Sequence, residues 1–265
     1  MINIQNLSAS FQNTPVFSNL NFSLPENSIT ALCGINGSGK STLLSLMAGI
    51  IPDSLCTQGN IFIDGQDILL QKHGKNTPCT KNAGKISFLE QNEKNFWNIT
   101  VRELVSDGRF IHRKWHQHFL PLDKTDSFFI EQALSFLSLQ KMQDRRISTL
   151  SGGEFQRVRI ARSLAQQTKY IFLDEPLTAL DITFQKELLN ILKQLCTQGK
   201  TICLSIHDLN FASNYADILL MLRQDGNGIF SGTPDELLQK HILSQVYGTD
   251  FSIFLHPVTQ KKQIW

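Results

Sequence analysis

The sequence predicts an α/β protein with a mixed, largely parallel sheet, an N-terminal antiparallel β-subdomain and an inserted α-helical subdomain. Three observations lead there. Short apolar runs suited to a sheet covered on both faces (SITALCG, KYIFLDEP, TICLSIH, DILLML) alternate with helical segments. The opening segments INIQNLSASF and PVFSNLNFSL instead alternate apolar and polar positions, as half-buried antiparallel strands do. Between Val101 and Asp144 the patterns are helical, so this block interrupts the strand–helix alternation.

Taken in order, SITALCG is a strand ending at Gly34, STLLSLMAGI a helix stopped by Pro52, and NIFIDG a strand closed by a turn. Gln71 to Asn82 is polar with Gly and Pro, hence a loop, and KISFLEQN returns as a strand. In DITFQKELLNILKQLC, Leu188, Leu192 and Leu195 share one helical face. FSIFLH near the end is strand-like, followed by a polar tail. The expected organisation is a single domain over 1–265. Its α/β core and antiparallel subdomain come from 1–92 and 168–265, and its helical subdomain from 93–167.

Composition narrows the class. With 265 residues, 41% hydrophobic and 18% charged, the chain is globular rather than disordered. A formal net charge of +2 gives no bulk electrostatic pull toward nucleic acid. No apolar run approaches the roughly 18 residues of a membrane span, and MINIQNLSAS carries no secretion signal. The cysteines (Cys33, Cys56, Cys79, Cys196, Cys203) are odd in number and scattered, with no C-x-x-C pair, which indicates a reduced cytosolic compartment.

Gly34-Ile35-Asn36-Gly37-Ser38-Gly39-Lys40-Ser41, followed by Thr42, is G-x-x-x-x-G-K-S between an apolar strand and an amphipathic helix. Its glycines let the backbone turn N–H groups onto phosphates, Lys40 reaches the β- and γ-phosphates, and Ser41 offers a hydroxyl to Mg²⁺. YIFLDEP ends an apolar strand in two carboxylates. Asp174 would hold Mg²⁺ through water, while Glu175, pointing the other way, would polarise an attacking water. His207 ends TICLSIH at the same carboxyl edge, where open α/β sheets bind ligands. Structural use is the ordinary fate of such a histidine; here it could also bond a γ-phosphate and the water. Gln91 lies at a further edge, as a surface glutamine or as a ligand of Mg²⁺ or water. LSGGEFQRVRIARSLAQ opens a second helix with Ser151, Gly152 and Gly153, whose bare N–H groups attract anions.

GINGSGKST, Gln91, LSGGE, YIFLDEP, ALD (Ala179 to Asp181) and His207 stand in the order and spacing of the ATP-binding-cassette ATPases, which the chain resembles over essentially its whole length. The resemblance implies a P-loop NTPase core that hydrolyses ATP with Mg²⁺. It also implies a homodimer in which two cassettes, head to tail, sandwich two ATP molecules. Ser151, Gly152 and Gly153 would then cap the γ-phosphate bound by the other copy, Asp181 would link the two sites, and Phe11 would lie against adenine, where a tyrosine is commoner. NITVRELVSDGRFIHR, LDITFQ and HDLNFASNYAD resemble the ATPases of iron-siderophore, haem and cobalamin importers. That implies a peripheral subunit on the cytoplasmic face of the inner or plasma membrane, serving a permease and, indirectly, a substrate-binding protein. The helical insertion and the Gln91 region would receive the permease. Leu177 departs from the threonine usual after DEP, and Arg113-Lys114-Trp115 from the importer pattern. The alternatives are a soluble ATPase of iron–sulfur cluster assembly and a zinc or manganese importer ATPase. His112, His116 and His118 are read as a solvated helical surface rather than a metal site.

Overall fold

In a computed structural model the described residues are 1–12, 14–69, 84–91, 98–113, 121–223 and 225–265. Strands β1 (Ile2–Phe11), β2 (Thr14–Leu24), β4 (Leu55–Ile63) and β5 (Gln66–Asp67) form an antiparallel sheet in the order β2-β1-β4-β5. The apolar members of the β1 and β2 alternation, Ile2, Ile4, Leu7, Leu20 and Leu24, are its buried face.

The second sheet holds β3 (Ile29–Cys33), β6 (Ile86–Leu89), β7 (Tyr170–Leu173), β8 (Thr201–Ser205), β9 (Ile218–Leu222) and β10 (Ile229–Gly232). Its order is β10-β9-β3-β8-β7-β6, parallel except for the antiparallel edge strand β10. The pleat of these apolar strands sorts residues into two cores. Tyr170 and Phe172 pack with the antiparallel sheet and α1 (Lys40–Met47). Ile171 and Leu173 pack with helices on the other side. Helix α1 ends at Met47 with Gly49 left-handed at φ 78°, so that glycine closes it before Pro52 is reached.

No strand lies between 101 and 165 among the described residues. This stretch holds α2 (Val101–Asp107), α3 (Lys124–Phe136) and α4 (Gly152–Ala165). Each starts on a side-chain cap: Thr100 with Glu103, Asp123, and Ser151 with Glu154. The buried Arg109 guanidinium donates to Asp126 at 2.8 Å and to the Ala165 carbonyl at 2.8 Å, tying α3 to the end of α4. The apolar faces of these helices share one core with Ile171 and Leu173 and with Leu188, Leu192 and Leu195 of α5 (Ile182–Thr197). One core thus joins the helical block to the parallel sheet.

Helices α6 (Leu209–Tyr215), α7 (Pro234–Leu237) and α8 (Lys240–Tyr247) complete the chain, with a terminal hairpin of β11 (Ile253–Leu255) and β12 (Lys262–Ile264). The strand-like FSIFLH supplies β11. Asn210 and Ser213 of α6 hydrogen-bond the β12 backbone and hold the hairpin down. The polar segment 71–82 lies outside the described residues.

Candidate nucleotide site

The loop from Gly34 to Gly39 joins β3 to α1 at the carboxyl edge of the parallel sheet. Gly39 has φ +94°, and a Cβ there would stand 2.6 Å from Val16 Cγ1, so only glycine lets the loop lie this close to β2. Lys40 is buried, and its Nζ donates to the carbonyls of Gly34 and Ile35, both at 2.9 Å. Burial pushes the ammonium pKa below its ordinary value, against the opposing charges of Glu175 and Asp174.

A cleft of about 510 Å³ opens over this loop, lined by Phe11, Val16, Asn36, Gly37, Gly39, Lys40, Ser41, Thr42, Gln91, Glu175 and His207. It gathers most of the residues expected to hold nucleotide. Gly34, Ser38 and Asp174 do not line it. Gly34 is behind the loop as the carbonyl partner of Lys40, and the Ser38 hydroxyl is buried with no hydrogen-bond partner among the described residues. Asp174 is only 2% exposed.

The acid pair differs from the strand reading. Strand β7 stops at Leu173, and Glu175 has φ +47°, a left-handed conformation that costs a non-glycine residue energy. The two carboxylates part through this turn rather than through strand alternation. Asp174 Oδ1 accepts from Ser205 Oγ at 2.6 Å. Glu175 Oε1 meets His207 Nε2 at 2.8 Å, and Glu175 Oε2 accepts from Thr178 Oγ1 at 3.3 Å. Burial alone would raise the Glu175 pKa. The hydrogen bond and charge of His207, with bonds from Gln91 and Thr178, outweigh it and hold the carboxyl below its ordinary value. Gln91 itself lies two residues past the end of β6 and is exposed.

The LSGGE segment forms a different surface. Ser151 caps α4 in a reciprocal box: its Oγ accepts from Glu154 N at 3.3 Å, and Glu154 Oε2 accepts from Ser151 N at 2.8 Å. Those bonds hold the Glu154 carboxyl below the usual range. Asp181 caps α5, accepting from Phe184 N at 2.9 Å. The two caps are neighbours, because a Cβ on Gly153 would meet the Ala179 carbonyl oxygen at 2.8 Å. Ser151, Gly152 and Asp181 are exposed, and none of these residues lines the cleft over the phosphate loop. From the same helix, Arg159 donates to the carbonyls of Glu90 and Gln91, and Gln156 donates to that of Pro176 at 3.3 Å. Helix α4 thus touches the backbone beside two cleft residues, Gln91 and Glu175.

Three contributors escaped sequence reasoning: Val16 on the cleft wall, Thr178, and Ser205. The signal for Ser205 was its place two residues before His207 on the same apolar run, at the carboxyl end of β8. Of the histidine trio, His112 Nε2 is 2.7 Å from the Gln166 carbonyl oxygen, while His116 and His118 lie outside the described residues. Among the described residues no group of three His, Cys, Asp or Glu is placed to hold a metal, and no helix is long and apolar enough to cross a membrane.

A glycine-rich loop between a parallel strand and a helix, faced by an acid pair from the next-but-one strand, defines a P-loop nucleotide hydrolase. A family model described as ABC transporter matches residues 17–178. The chain belongs to that family and is an ATPase. Its relatives include the petrobactin import ATP-binding protein YclP of Bacillus subtilis, 37% identical over 93% of this chain and 92% of the relative. Ferric enterobactin transport ATP-binding protein FepC of Escherichia coli K12 is 35% identical over 92% of this chain and 85% of its own length. Hemin import ATP-binding protein HmuV of Escherichia coli O157:H7 is 33% identical over 100% and 98%. Among solved structures, a chain from an inward-facing ABC transporter of metal-chelate type superposes with a TM-score of 0.80 at 28% identity, covering 99% of this chain and 95% of that one.

Proposed function

We propose that this chain is the ATP-hydrolysing subunit of a membrane importer for an iron chelate, a siderophore or haem. The convergence of Lys40, Gln91, Glu175 and His207 on one cleft carries the hydrolysis. The cargo class rests on relatives whose names specify petrobactin, enterobactin and hemin, and these names favour it over zinc, manganese or iron–sulfur assembly.

In this reading ATP enters the cleft with its base against Phe11 and its phosphates on the loop N–H groups. Lys40 exchanges the carbonyls of Gly34 and Ile35 for phosphate oxygens. Glu175 accepts the proton of the attacking water, and His207 keeps that carboxylate ionised and aimed. The oxygen donors Ser41, Gln91 and Asp174 suit Mg²⁺, a hard cation that binds through few protein ligands and several waters. When bound, Mg²⁺ neutralises charge on the β- and γ-phosphates.

Ser151, Gly152 and Asp181 are exposed, Gly153 is half-buried beside them, and all four stand apart from their own chain's cleft, which supports their completing the site of a second copy, head to tail. The γ-phosphate then joins two subunits, and its release separates them. Through Arg159 and Gln156, closure would shift the helical block, the side offered to permease subunits at the cytoplasmic membrane face. A substrate-binding protein would deliver cargo outside.

The test is Glu175→Gln. It is expected to bind ATP, to accumulate as a closed dimer on gel filtration, and to lose roughly 10²–10⁴-fold in turnover, the scale of a missing general base. Near-normal turnover would remove Glu175 from this role.

A further inference from the structure

We infer that Ser205 is a positioning residue for hydrolysis: its hydroxyl, at the end of strand β8, joins Asp174 to the backbone of Glu175. The inference rests on the assignment of Glu175 as general base.

Ser205 Oγ makes two hydrogen bonds. It accepts from the Glu175 backbone N–H at 2.7 Å and donates to Asp174 Oδ1 at 2.6 Å. A serine hydroxyl has a single proton, and the amide can only donate. The polarity is therefore set: Glu175 N–H to Ser205 Oγ, and Ser205 O–H to the Asp174 carboxylate. Both carboxylate-bearing residues hang on the hydroxyl of a serine that is 1% exposed, where few waters compete.

Two residues further along the same chain, His207 Nε2 contacts the Glu175 carboxylate at 2.8 Å. Strand β8 ends at Ser205, so one contact comes from the last residue of the strand and the other from the segment that leaves it. Ser205 holds the backbone of Glu175, and His207 holds its side chain. Between these two points Glu175 adopts φ +47°, a conformation that a glutamate keeps only when its surroundings impose it. Ser205 is also in register with Leu32 of β3, the strand that feeds the phosphate loop. The hydroxyl thus ties the acid pair to the strand that lies beside β3.

An alanine at this position leaves the fold intact, since the residue lies in a fully buried parallel strand where a small apolar side chain is suited. It leaves Asp174 without its donor and frees the Glu175 backbone to relax. Ser205→Thr keeps the hydroxyl.

The experiment measures steady-state ATP hydrolysis, equilibrium binding of a fluorescent ATP analogue, Mg²⁺ dependence and thermal unfolding for Ser205→Ala, Ser205→Thr and Glu175→Gln. Ser205→Ala is expected to lose roughly 10- to 100-fold in kcat, the range spanned by one charge-assisted hydrogen bond at a reacting group. Nucleotide affinity should stay within about threefold, and half-maximal Mg²⁺ should rise, because Asp174 loses its orientation. Ser205→Thr should recover most of the turnover. Ser205→Ala within about threefold of the parent kcat, beside an inactive Glu175→Gln, overturns the positioning role and leaves the general base standing. A turnover loss that Ser205→Thr shares equally, tracking the loss of thermal stability, also overturns it. An active Glu175→Gln overturns instead the assignment on which the inference is built.

Discussion

Gly153→Ala separates packing inside one subunit from chemistry offered to another. The added Cβ would stand 2.8 Å from the Ala179 carbonyl oxygen, closer than such contacts occur, and the obstacle is backbone. At the neighbouring Gly152 the same methyl meets only Ala179 Cβ, at 3.9 Å, an ordinary contact. Both positions start helix α4, so a helix-propensity gain of up to about 1 kcal/mol is common to the two variants and cancels between them. What remains is the overpacking at Gly153, typically about 1–3 kcal/mol. For a chain of this size each kcal/mol moves Tm by about 2–4 °C, so Gly153→Ala should unfold roughly 2–12 °C below Gly152→Ala. Circular dichroism melts without nucleotide measure the difference. ATP hydrolysis should fall in both if, as proposed, this helix mouth receives a phosphate, because either methyl crowds it. Equal melting temperatures, or a more stable Gly153→Ala, would refute the claim that Gly153 exists to seat the Ala179 turn.

Two further outcomes follow from the site and the fold. Phe11, 38% exposed on the cleft wall, should set nucleotide affinity rather than rate. Losing an aromatic contact of about 0.5–1.5 kcal/mol in Phe11→Ala raises KM for ATP roughly 2- to 13-fold, tryptophan restores it, and an unchanged KM places the base elsewhere. At the junction of the two sheets, burial would raise the Asp64 pKa, but the Tyr170 hydroxyl and Lys169 ammonium donate to it and hold the carboxyl well below the usual range. The folded chain then binds fewer protons there than the unfolded one. Stability from this group is full above the ordinary aspartate value of about 3.9 and is lost as pH falls toward the folded one. Urea unfolding across that window should show a slope with pH that Asp64→Asn flattens; parallel curves for the two proteins would contradict it.

Chain order by itself determined the phosphate loop, the acid pair, the strand–helix alternation and the helical interruption. Each is a local pattern: a glycine spacing, a run of apolar residues, a cap such as Ser151 with Glu154 that satisfies helix N–H groups within four residues. The inward faces of Leu188, Leu192 and Leu195 were legible for the same reason, since helical periodicity is written in consecutive residues. Gly49 rather than Pro52 ends α1, a detail of backbone conformation to which apolar spacing is blind. Tertiary structure alone decided what depends on non-consecutive strands coming together. Strand β8 inserts between β3 and β7, and only that order brings Ser205 against Asp174 and His207 against Glu175. The left-handed turn at Glu175 belongs to the same class, because a glutamate does not choose φ +47° from local preference. The seating of Gly153 on Ala179 likewise joins two caps that the sequence keeps far apart. Local patterns specify which groups are present; the sheet order specifies which of them share a hydrogen bond.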